Sequence, residues 1–109
     1  MAMQGGIQTF VDKYGIEHKR VYPLQVCCEE MFYDFMNHCF AEGEAVDMRL
    51  EVSYAEEDHA VVIEITSGGK PYNPLEESDN AMAVAIIRRT AQRTDYRFDQ
   101  NYNQLTIIL

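Results

Sequence analysis

In the stretch CCEEMFYDFMNHCF, residues 27 to 40, Glu30, Asp34 and His38 stand four apart. At 3.6 residues per turn that spacing sets all three on one stripe of a helix, beside an apolar stripe of Cys27, Met31, Phe35 and Cys39. Asp34 and His38 at i, i+4 have the geometry of metal ligands. Two ligands without a third at set spacing do not define a metal site, so no metal is expected from the residues alone. A Cys39–His38 nucleophile–base dyad is excluded, because adjacent helical residues point about 100° apart. Taken by itself, the stripe is a solvent-facing side of a helix.

The elements that must position this stripe follow from the periodicity. A helix is predicted from about Gln8 to Tyr14, where Phe10, Val11 and Tyr14 share a face and Gly15 is a stop. The second helix carries the stripe over about 24–40, with Pro23 marking its start or a kink. From Met48 the period becomes two, predicting a strand over 48–54, the turn AEEDH, and a returning strand AVVIEIT over 60–66. After the Gly/Pro-rich loop SGGKPYNPLEESDN, in which Tyr72 and Asn73 fix a turn, a third helix is predicted over 79–93, capped by Ser78 or Asp79. A hairpin of strands 95–100 and 104–109 closes the chain. This order predicts one domain over residues 7–109, a two-layer α/β sandwich with helices on one face of a mostly antiparallel four-stranded sheet. The opening MAMQGG has neither periodicity nor apolar content and is expected to be disordered or an appended remnant.

Composition sets the remaining bounds. A chain of 109 residues can bury enough apolar surface to fold as one domain without staples. Its three cysteines are an odd number, two of them adjacent in an apolar helical run, and no C-x-x-C spacing occurs; reduced, buried thiols and a cytoplasmic location are expected. No apolar run approaches the roughly 20 residues of a membrane span, so no direct membrane contact is expected. Eighteen Asp and Glu against nine Lys and Arg give a net charge of −9, which opposes nucleic acid and anionic membranes.

Three segments in order, GIEHKRVYPLQVCCEEMFYDFMNHCF, then SGGKPYNPL, then AMAVAIIRRTAQRTDYRFDQNYNQLTIIL, resemble the ATP-binding domain of the histidine-kinase-like ATPases. The nearest likeness is to the anti-sigma-factor serine kinases, and it covers roughly residues 7 to 109 without the family's opening strand. The resemblance implies the histidine-kinase-like ATPase fold and a Mg-ATP site. Its Glu-x-x-x-Asn motif falls on Glu30, the position of the catalytic base, and on Asp34, where the family's Asn holds magnesium; an Asp can also ligate that ion. Its Asp-x-Gly adenine motif falls on Ser67 and Gly69, and its phosphate-binding Gly-x-Gly on Ala81 and Ala83. Serine weakens adenine recognition by about 1 to 3 kcal/mol. The alanine methyls crowd the phosphate position, Asp79 brings a negative charge to it, and the loop from Pro74 to Ala81 is too short to form a lid.

What the resemblance then implies is a degenerate module that neither binds nor hydrolyses ATP, with Glu30, Asp34, Ser67, Gly69, Ala81 and Ala83 as vestigial positions and no cofactor. Its function would be regulatory, through a protein partner: a sigma factor, an antagonist, or an associated or fused domain. Glu76, Glu77 and Asp79, with Tyr72 as an exposed aromatic anchor, are the expected surface for a basic partner segment. The alternative is a divergent serine/threonine protein kinase or anti-sigma factor that retains Mg-ATP, with Asp34 as its magnesium ligand.

Overall fold

In the computed structural model the backbone is described for residues 2–109 and the side chains from residue 5 onward. Helix α1, Ala2–Tyr14, sets Ile7, Phe10, Val11 and Tyr14 toward the core, and Gly15 ends it with a φ of 61°. The segment expected to be a disordered or appended end is therefore helical from Ala2; Met1 lies outside the described residues. Helix α2, His18–Cys39, starts six residues before the position expected. Pro23 lies inside it rather than at its start, where its missing N–H leaves the Lys19 carbonyl without its i→i−4 bond. The buried stripe of α2 is Leu24, Cys27, Cys28, Met31, Phe35 and Cys39, all at or near zero exposure.

Strand β1, Met48–Ala55, and strand β2, Ala60–Ser67, form an antiparallel hairpin joined by a 3-10 turn over Glu56–Asp58. A short helix not foreseen from the sequence, α3, Pro74–Glu77, follows in the loop. Helix α4 runs only over Ala81–Thr90, and β3, Arg93–Asp99, pairs with β4, Tyr102–Ile108. Their two-residue turn has Gln100 and Asn101 in the left-handed region, as a tight hairpin requires.

The sheet order is β1-β2-β4-β3, with every neighbouring pair antiparallel. Val61, Ile63 and Ile65 of β2 and Leu105 and Ile107 of β4 are buried, and alternate residues such as Glu64 of β2 face away. Helices α1 and α4 pack on α2, and α2 packs on β1 and β2; the core is one layer between the helices and the sheet, joined by Leu105 and Ile107 of β4. The architecture is α+β, with a four-stranded antiparallel sheet covered by helices. Among the described residues no helix is long and apolar enough to cross a membrane.

Candidate functional site

The polar stripe of α2 splits into three local environments. Glu30 is exposed, and its Oε2 accepts from Asn80 Nδ2 at 3.0 Å, across from α2 to the start of α4. Asp34, one turn on, is half-buried. His38 lies with its ring stacked on Tyr72, centroids 4.5 Å apart and planes 10° from parallel. No group of three His, Cys, Asp or Glu side chains is arranged to hold a metal ion among the described residues.

Tyr72 is not an exposed anchor, contrary to the expectation from the sequence. It is 6% exposed, held flat against His38 and edge-on to Phe35 at 6.2 Å. Burial first, and the Asp34 charge second, push its phenol up to about 12. The apolar ring is drawn into the gap that the loop leaves over α2, since exposing it would forfeit roughly 2 kcal/mol of burial. Glu76, Glu77 and Asp79 remain exposed beside it. Glu77 is also a local structural group, because its Oε2 accepts from the Asn73 amide at 2.6 Å while Asn73 Oδ1 accepts from Leu75 N. Asn73 is thus the N-cap of α3.

Loop 67–72 is fastened from beneath by one side chain. Asn103, fully buried at the start of β4, donates from Nδ2 to the Lys70 carbonyl at 3.0 Å and to the Ser67 carbonyl at 3.2 Å. Its Oδ1 accepts from Tyr72 N at 2.8 Å and from Tyr96 Oη at 2.5 Å. In the sequence Asn103 falls in the expected turn between strands 95–100 and 104–109, not in a strand. A signal was present: Asn103, Leu105, Ile107 and Leu109 alternate as one strand face, so the asparagine had to point into the core.

Ser67 and Gly69 are both occupied by the protein itself. Ser67 is fully buried and its hydroxyl donates to the Gly68 carbonyl at 3.0 Å. Gly69 has a φ of 82°, and a Cβ there would sit 2.2 Å from the Cys39 carbonyl oxygen. The neighbouring Lys70 amide donates to that same oxygen at 3.1 Å, so this glycine lets the loop close onto the C-terminal end of α2.

The start of α4 is likewise satisfied internally. Its N-cap is Asn80, not Ser78 or Asp79; Asn80 Oδ1 accepts from Ala83 N at 3.1 Å, and Ser78 Oγ accepts from Asn80 N. Ala81 is exposed and Ala83 is buried. Between α2 and α4, Tyr22, Val26, Glu30, Asn80, Met82, Ala83 and Ile86 line a depression of about 100 Å³. Small-molecule sites commonly enclose about 300–1,000 Å³. Asp34 and Ser67 do not line it, so Glu30, Asp34, Ser67 and Ala83 do not converge on one cavity. A comparison of the chain with family models, curated proteins and solved structures finds no match in any of the three.

Proposed function

We propose that this domain is a degenerate relative of the anti-sigma-factor serine kinases, of histidine-kinase-like ATPase fold, that acts as a regulatory protein-interaction module without binding or hydrolysing ATP. The observation that carries the reading is the internal use of the groups the resemblance assigns to the nucleotide. The Ser67 hydroxyl is spent on Gly68, Gly69 is pressed against Cys39, and the Ala83 amide at the start of α4 is capped by Asn80, itself held by Glu30. A nucleotide would have to displace each of these contacts and open a depression of about 100 Å³. The two hairpins, joined in sequence through α3 and α4 into one four-stranded sheet, support the fold assignment. Function then rests on surface. The exposed Glu76, Glu77 and Asp79 suit a basic segment of a protein partner, whose binding would be independent of ATP.

Calorimetric titration with Mg-ATP tests the nucleotide part of this reading. The expected result is no saturable heat below about 100 μM ligand, equivalent to roughly 5.5 kcal/mol. Tighter binding, abolished by Asp34→Ala, would instead make the domain a divergent nucleotide-binding kinase.

A further inference from the structure

Helices α2 and α4 run antiparallel along a common seam. Glu30 meets Asn80 at one end, Val26 and Ala83 line the middle, and Lys19, Pro23, Thr90 and Gln92 border a cleft of about 410 Å³ at the other. Two of the largest exposed apolar side chains of the molecule flank this seam, Tyr22 at 59% and Met82 at 72%. The charges along it are ordered. Glu30 and Asp79 mark one end, and Lys19 and Arg89 the other, all four exposed; Lys19 Nζ also lies 3.5 Å from Glu17 Oε2 in a surface pair that Glu17 shares with Arg20, leaving that end net positive. On α2 the two charges are eleven positions apart, about 16 Å along the axis; on the α4 side Arg89 lies eight positions, about 12 Å, beyond Ala81, and Asp79 stands two residues before that helix start.

This order has a symmetry property. A two-fold axis lying in a contact plane and crossing the seam reverses direction along the seam while keeping α2 over α2 and α4 over α4. Lys19 of one copy then meets Glu30 of the other, and Asp79 meets Arg89, each pair occurring twice. Both pairs must share one axis for this to work. The midpoint of Lys19 and Glu30 falls between Leu24 and Gln25, and that of Asp79 and Arg89 at Val84. The Glu30–Asn80 bond and the shared lining of Val26 and Ala83 put these two midpoints side by side. An axis parallel to the seam would instead set acid on acid.

We infer that the α2/α4 seam is a self-association surface that takes a second copy of this chain in the antiparallel register, with Tyr22, Val26, Met82 and Ile86 as its apolar centre and the Lys19–Glu30 and Asp79–Arg89 pairs as its ends. The inference does not depend on the nucleotide reading. Because Asp79 belongs both to this surface and to the acidic rim, a basic partner segment on the rim competes with the second copy.

Sedimentation velocity of the intact chain, from roughly 10 μM to 1 mM in about 150 mM salt to screen the repulsion between two acidic molecules, tests the surface. A reversible monomer–dimer equilibrium is expected. Met82→Glu abolishes the dimer, Glu30→Lys weakens it about tenfold or more, and the charge exchange Lys19→Glu with Glu30→Lys restores it to within about threefold. Thermal unfolding by circular dichroism checks that each variant folds like the parent. Should Glu30→Lys perturb folding through its contact with Asn80, the exchange of Asp79 and Arg89 repeats the test at the other pair. A monomer across the whole range overturns the inference and leaves the seam to a different occupant. So does a dimer that is indifferent to the single reversal, or one that the exchange fails to restore.

Discussion

Asn103 shows how much can depend on one polar side chain. It satisfies two carbonyls of loop 67–72, one amide of that loop and one phenol, the Ser67 and Tyr72 contacts buried and the other two partly so. Replacing it by Leu keeps roughly the shape but takes the partner from the buried Ser67 carbonyl and leaves Tyr72 N only its longer bond to Tyr96 Oη; at about 1–3 kcal/mol for a buried group left unpaired, Asn103→Leu should lower stability by about 2 kcal/mol or more. Urea unfolding monitored by circular dichroism gives the value; a loss under about 1 kcal/mol would show that the loop relaxes without it. Gly69 and Asn103 also mark where sequence reading stops at this scale. A Gly-x-Lys run after a strand announces a turn, but only the path of α2 reveals that the glycine is needed against the Cys39 carbonyl. Tyr72 failed as an exposed anchor for the same reason. The surface that buries it comes from α2, far away in sequence.

The elements were largely legible because each carries its own period. The alternation in β1, β2 and β4 and the apolar stripe of α2 require nothing beyond local pattern, and the resulting antiparallel sheet covered by helices is the coarse architecture expected. The boundaries moved where capping chemistry competes. Ser78, Asp79 and Asn80 can all cap a helix, and α4 starts after Asn80 because that residue alone reaches Ala83 N and is itself braced by Glu30. The four-residue α3 was hidden by its length, since its Asn-Pro start reads equally well as a turn. Asn80→Ala should therefore cost about 1 kcal/mol, as lost N-caps do, and should loosen α4 from α2. Hydrogen exchange checks this, with faster exchange expected at the first turn of α4 and unchanged protection in β2.

At the scale of the molecule, burial has consequences for its pH range. Burial drives the thiols of Cys27 and Cys28 from 9.0 up to about 12, with the neighbouring Cys28 adding to the first and Glu29 to the second. Tyr72 moves from 10.0 to about 12 for the same leading reason. In each case the native state holds a proton that the unfolded chain has released. This contribution is complete below about pH 9 and is lost as pH rises toward 12, by up to about 1.4 kcal/mol per pH unit for each group. Urea midpoints measured from pH 8 to 11 should fall steadily above pH 9 and be flat below it. A midpoint unchanged between pH 9 and 11 would mean that these groups are open to water.

Asn103 also bears on how the chain finds its register. The two hairpins, β1–β2 and β3–β4, can each zip up locally, whereas joining β2 to β4 closes a span holding α3 and α4 and is the slower event. In that junction Ser67 stands opposite Asn103. A slip of two residues keeps the apolar faces aligned, so hydrophobic pattern alone does not forbid it. The slip does carry the amide away from the carbonyls of Ser67 and Lys70 and the amide of Tyr72, replacing three bonded partners by open groups. The side chain thus acts as a key for docking one hairpin onto the other, accepting a single alignment among several that greasy surfaces would tolerate equally.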